Sequence, residues 1–283
     1  MTLQLSNVLL LALIACGEPR VAPAKAPAPI TRPRVVAHRG ASLEAPENTL
    51  AAFRRAWELG VECVELDMHV TRDGQVVVIH DPTTKRTAGV DRRVDEQTLA
   101  ELRALDAGRG EKIPTLAEAL DSIPPGRTLF IELKSAASTI PAITRAIAAS
   151  DPRPRGGKLA LQAFDAATLA LLAKALPGVP AFWDVDPPQG NEMEGPEFTP
   201  GPGNDRRVLP YPLELVADAK ARGFGLALDY RAVTDEFLVA ARAAGVEMDV
   251  WTINDASELK RWLARDVRWV ETDRPELVSV PPS

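Results

Sequence analysis

Residues 61–82, VECVELDMHVTRDGQVVVIHDP, decide how every other strand of this chain is counted. They read as two short strands, 61–70 and 75–80, joined by a tight turn at Arg72-Asp73-Gly74. Asp-Gly between two apolar alternating runs signals a hairpin, because Gly supplies the positive φ that the turn needs. Successive side chains of a strand point to opposite faces. Cys63, Glu65, Asp67 and His69 therefore share one face, and Val64, Leu66, Met68 and Val70 the other. An E-x-D on a strand is by itself most often a solvated edge. Two carboxylates so close repel when both are ionised, and the pair is tolerable mainly where a cation or a shared proton lies between them. The returning strand ends at His80-Asp81-Pro82, where Pro stops further pairing. Paired carboxylates with an imidazole returning beside them read as a metal-assisted acid–base centre.

If QVVVIH is only the return arm of that hairpin, eight parallel candidates remain. They are RVVAHRG (34–40), VECVELD (61–67), TLFIELK (128–134), KLALQAF (158–164), AFWDV (181–185), FGLALDY (224–230), VEMDVWTIN (246–254) and VRWVETD (267–273). Helical patterns alternate with them: Leu50, Phe53, Ala56 and Trp57 closed by Gly60, then 95–105, 115–123, 140–149, 166–176, 213–222, 235–244 and 256–264. Eight β/α repeats over about 250 residues predict an α/β fold of the (β/α)8 TIM-barrel type, its active site at the C-terminal strand ends. The hairpin is an excursion after the second strand, and one barrel domain spans 34–283. An open doubly wound sheet would want a Gly-rich nucleotide turn after an early strand, and the sequence has none.

With 283 residues and 46% hydrophobic content, the chain can bury one large core. Its net charge of −6, with both signs interspersed, offers no basic stripe and argues against a nucleic-acid partner. Cys16 and Cys63 are too few for a disulfide framework. Residues 3–15, LQLSNVLLLALIA, are an apolar run followed by Cys16-Gly17, with no Lys or Arg before it. This resembles a signal peptide (1–15) ending in the bacterial lipobox Leu13-Ile14-Ala15-Cys16. The resemblance implies an exported lipoprotein, membrane-anchored through Cys16 on the periplasmic or extracellular side. The Ala/Pro-rich segment 16–33 suits a semi-rigid tether, and 187–207, rich in Pro, Gly and acids, reads as a surface loop.

The predicted strand ends bring forward His38, Arg39, Glu65, Asp67, His80, Glu132, Lys134 and Trp251. Three carboxylates suit one hard divalent cation, Ca²⁺ or Mg²⁺, and no Cys/His cluster with zinc spacing competes. Arg39 and Lys134 supply the fixed positive charge expected around a phosphate.

These residues resemble a known family, the glycerophosphodiester phosphodiesterases, relatives of the phosphatidylinositol-specific phospholipases C. The matches are VVAHRG (35–40), APENTLAAF (45–53), residues 61–87, IPTLAEAL (113–120), IELK (131–134), VWTIN (250–254) and TDRP (272–275), in family order. Two places depart from the pattern, QAFD at 162–165 and VETD at 270–273. The resemblance implies hydrolysis of a glycerophosphodiester to glycerol 3-phosphate and an alcohol. It makes Glu65, Asp67 and Glu132 the metal ligands and His38 and His80 the acid–base pair. It makes Arg39 and Lys134 phosphate-binding cations and sets Trp251 on the glycerol side. Glu47 and Asn48 of the PENT run support the metal shell or are structural, and His69 and Cys63 read as structural. By analogy with the phospholipases, the nucleophile is the neighbouring glycerol hydroxyl, giving a cyclic phosphate that water opens. Two other readings share these residues: cleavage of lysolipids in the manner of a lysophospholipase D, and a non-catalytic binding lipoprotein.

Overall fold

The computed structural model describes residues 34–189 and 208–278. The signal peptide, lipobox and tether (1–33) and most of the predicted surface loop (190–207) lie outside the described residues. In chain order the elements are β1 (Arg34–Ala37), α1 (Leu50–Glu58), β2 (Cys63–Val70), β3 (Val76–Val78), α2 (Lys85–Ala88), α3 (Leu99–Ala104) and α4 (Leu116–Asp121). There follow β4 (Thr128–Leu133), α5 (Ile140–Ala149), β5 (Lys158–Ala163), α6 (Ala166–Ala175), β6 (Ala181–Val185) and α7 (Glu214–Arg222). The last are β7 (Gly225–Asp229), α8 (Asp235–Ala244), β8 (Met248–Trp251), α9 (Ala256–Leu263) and β9 (Trp269–Thr272).

The strands run β1-β9-β8-β7-β6-β5-β4-β2-β3, and an additional β1–β2 pairing closes the eight parallel strands into a barrel. Strand β3 is antiparallel to β2, opposing Val70 to Val76 and Met68 to Val78, as the Asp-Gly turn predicts. Gly74 takes φ +77°, and Thr71 clamps the turn by donating its hydroxyl to Asp73 Oδ1 at 2.6 Å. The excursion has a small core of its own, in which Val77 and Ile79 pack with Val94, Leu102 and Ile113.

Both faces of β2 are buried, and they differ in kind. Val64, Leu66 and Met68 join Leu129, Ile131 and Leu161 in the layer under the helices. Cys63 points into the barrel, in a plug with Val36, Phe130, Phe182 and Trp269. Ring centroids 5.2 Å apart for Phe130–Phe182 and 5.1 Å for Phe130–Trp269 fill the N-terminal half of the barrel. Above that plug the inward positions change to carboxylates. Glu65, Asp67, Glu132, Asp184, Asp229, Asp249 and Glu271 are all buried. So many buried carboxylates cost stability unless partners, protons or a cation compensate them.

The predicted helix at 95–105 begins later, at Leu99. A 3-10 turn occupies Val94–Glu96, and Thr98 starts α3 with a capping box closed by Glu101. Helix α2 was not foreseen; four residues are too short to show a period.

Candidate active site

Strand register sets the site. The β2–β4 pairing opposes Asp67 to Glu132, and β1–β2 opposes Ala37 to Val64, so His38 and Arg39 emerge at the same barrel mouth. After β1 the chain turns sharply, with Arg39 at φ 56° and Gly40 at φ 82°. A Cβ on Gly40 would lie 2.7 Å from Ala52 of α1, so glycine is required there. Arg39 tolerates the left-handed backbone because its N–H donates to Glu65 Oε2 at 3.0 Å and its carbonyl accepts from Asn48 N–H at 3.0 Å.

Asp67 is the charge hub. Arg39 Nε lies 3.3 Å from its Oδ2, Lys134 Nζ 3.3 Å from its Oδ1, and Asn48 donates to Oδ2 at 2.8 Å. Burial pushes this carboxyl up, but Lys134 and Arg39 outweigh it and hold the group down at about 2. Each such contact is worth about 4 kcal/mol at an effective dielectric of about 20, so two cations prevail over desolvation. Glu65 and Glu132 go the other way. Burial, then the charge of Asp67, raises Glu65 well above the carboxylate range and Glu132 to about 7, although Lys134 Nζ is 2.6 Å from Glu132.

The three carboxylates each offer an oxygen within 4.8 Å of the others, and Glu65 Oε1 is buried without any hydrogen-bond donor. An oxygen-only set with an orphaned buried carboxylate oxygen fits a hard divalent cation, whose charge would oppose the upward shifts. Glu271, with His38 and Glu65, forms a second group of that spacing, and Gln162 Nε2 bridges Glu271 and Asp249 at 3.1 Å each.

Both histidines are anchored through Nδ1. His38 donates to Asp273 Oδ1 and His80 to Asp81 Oδ1, each at 2.7 Å, so in each ring the Nδ1 proton is engaged and Nε2 is the nitrogen able to accept one. Asp273 is itself held by Asn254 Nδ2 at 2.6 Å and Ser42 Oγ at 3.2 Å. Burial lowers His80, against the pull of Asp67 and Asp81, which favours a neutral imidazole near pH 7. His69 lies beneath, donating Nε2–H to the His80 carbonyl at 3.0 Å. Arg86 grips Glu47 (2.6 and 2.8 Å) and Asp81 (2.8 and 3.0 Å), while Glu47 also accepts from Arg39 at 3.1 Å. The PENT loop and the segment after β3 are thereby tied together.

All eight residues singled out from the sequence meet around this mouth. Seven of them, with Phe164, Asp184 and Asp186, line a cavity of about 210 Å³, and the eighth, Asp67, lies buried against them. Asp81, Asp273, Asn254, Arg86 and Phe164 were not singled out. TDRP and VWTIN contain two of them, but nothing local says that Asp273 turns toward a histidine 235 residues earlier. Phe164 stands 6.3 Å from Trp251, edge to face, with Lys134 Nζ 5.2 Å from its ring.

A parallel barrel with this acidic centre, two anchored imidazoles and two fixed cations defines a phosphoric diester hydrolase. More particularly, the chain belongs to the glycerophosphoryl diester phosphodiesterase family, whose model matches residues 38–277. A glycerophosphodiester phosphodiesterase of Caldanaerobacter subterraneus subsp. tengcongensis is 32% identical over 251 residues, covering 86% of this chain and 94% of that protein. Among solved structures, an Oleispira antarctica phosphodiesterase in complex with the product sn-glycerol-3-phosphate is similar, with TM-score 0.73 and 27% identity over 88% of this chain and 98% of that one. A Thermotoga maritima glycerophosphodiester phosphodiesterase gives TM-score 0.66 and 28% identity over 87% and 96%.

Proposed function

We propose that this protein hydrolyses glycerophosphodiesters to glycerol 3-phosphate and an alcohol, with one divalent cation, Ca²⁺ or Mg²⁺, held by Glu65, Asp67 and Glu132. The observation that carries the reading is the convergence, at one barrel mouth, of those carboxylates with two histidines whose Nδ1 atoms are already engaged. Charge balance supports it. Three ionised carboxylates against Arg39 and Lys134 leave −1; a divalent cation makes this +1, matched to a phosphodiester monoanion. When bound, the cation would stabilise negative charge on the phosphoryl oxygens.

Arg39 and Lys134 fix the phosphate and meet the charge that develops on it. One histidine removes the proton of the attacking hydroxyl while the other protonates the departing oxygen, their Nδ1 carboxylates stabilising each imidazolium. Attack by the adjacent glycerol hydroxyl gives a cyclic phosphate, which water opens with the two roles exchanged. Trp251 flanks the glycerol. The same proposal extends to an exported lipoprotein tethered through Cys16; the mass of the mature chain isolated from membranes tests it.

The deciding experiment is release of glycerol 3-phosphate from glycerophosphocholine, with Ca²⁺, with Mg²⁺ and with a chelator. Release that needs the cation is expected. Turnover indifferent to chelation overturns the metal assignment, and release from lysolipids alone replaces the substrate.

A further inference from the structure

The opposite, N-terminal end of the barrel holds a separate cavity of about 390 Å³. It shares no lining residue with the catalytic cavity, and the plug of Phe130, Phe182 and Trp269 lies between them. Its walls carry Arg34, Arg153, Lys158 and Arg268 against one carboxylate, Glu247. Arg153 is neutralised by Asp151 at 2.7 Å. Among the described residues, Arg34, Lys158 and Arg268 form no ion pair. Arg34 and Arg268 instead crowd one indole, their guanidinium carbons 5.2 and 5.5 Å from the Trp269 ring. Adjacent strands force the crowding, since Arg34 N–H donates to the Arg268 carbonyl at 3.0 Å.

Two guanidiniums and an ammonium around one hollow repel each other, and a bound anion removes that cost. Guanidinium planes flanking a concave site match phosphate oxygens in geometry as well as charge. We propose that this mouth is a phosphate-binding site distinct from the catalytic one, taking a phosphate monoester or diester group from an anionic phospholipid or from a soluble ion. The chain N-terminal to Arg34 joins the barrel at this end, because β1 begins there. A headgroup seated here would hold the barrel with its catalytic mouth turned from the bilayer, toward soluble diesters.

The test uses the full chain and an Arg34→Gln/Arg268→Gln variant of it, with inorganic phosphate binding counted by calorimetry. The wild type is expected to bind two phosphates per chain, the variant one, with glycerophosphocholine turnover unchanged. In flotation with phosphatidylglycerol vesicles, affinity is expected to fall about thirty-fold, roughly fivefold per neutralised charge, with no change on phosphatidylcholine vesicles. Loss of the second phosphate with unchanged vesicle affinity identifies a soluble ion as the source. Equal phosphate stoichiometry in variant and wild type overturns the site. Should the double variant fail to fold, Lys158→Gln, at the exposed start of β5, is read the same way.

Discussion

His38 and His80 have the same support, a carboxylate on Nδ1, and different surroundings. Replacing either with Ala should lower glycerophosphocholine turnover by about 10²–10⁴ while leaving the melting temperature near the wild-type value. An active double variant would remove both from the chemistry. Asp249 shows a different side of single residues. Burial raises its carboxyl from 3.8 to about 7, so the folded protein binds a proton there that the unfolded chain does not. Its contribution to stability is full below about pH 4 and is lost as pH rises through about 7. Asp249→Asn should therefore match the wild type near pH 4 and exceed it at pH 8, by up to a few kcal/mol at about 1.4 kcal/mol per pH unit. Denaturant unfolding in chelator at the two pH values checks this; a gap independent of pH would mean that Asp249 does not titrate so. Residue types and spacing made legible the residues that gather at the barrel mouth. They did not show Asp249, Gln162 and Glu271 meeting on the barrel axis, because those lie 87 and 109 residues apart in pairs.

At the scale of elements, the junction of β1 with α1 concentrates constraint. Gly40→Ala puts a Cβ 2.7 Å from the Ala52 backbone at a φ of +82°, so more than about 1 kcal/mol of destabilisation is expected, together with lost activity as His38 and Arg39 shift. A variant with wild-type melting and turnover would show that the loop relaxes freely. Arg86 makes the contrasting case. Its side chain is 46% exposed, so its ion pairs contribute at most about 1 kcal/mol to stability. Yet it links Glu47, and through it Arg39, with Asp81 behind His80. Arg86→Met should leave melting almost unchanged while reducing kcat more than it raises KM. The hairpin was readable because Asp-Gly between alternating runs has one economical backbone solution. The late start of α3 was readable only in Thr98-x-x-Glu101, where a cap competes with the apolar pattern around it.

Over the whole molecule the barrel interior divides into an aromatic plug and an acidic half above it. Repulsion among Glu65, Asp67 and Glu132 makes the cation-free protein less stable than its packing allows. Saturating Ca²⁺ or Mg²⁺, about a hundredfold above Kd, should add about 2.7 kcal/mol, several degrees in Tm. In Glu65→Ala the shift should vanish along with turnover. A shift that persists in that variant would place the cation elsewhere.

The sequence by itself determined the eightfold β/α alternation, the antiparallel excursion, and the residues standing at the strand ends. Hydrophobic period, turn chemistry and residue type are local, and each can be read within one element. Only the tertiary structure decided which carboxylate holds which histidine, and which acids rise or fall in pKa. It also put Arg34, Lys158 and Arg268, without an ion pair among the described residues, around one hollow at the far mouth. Those outcomes depend on distances between strands far apart in the chain and on exclusion of water, which closing the barrel creates and no single segment contains.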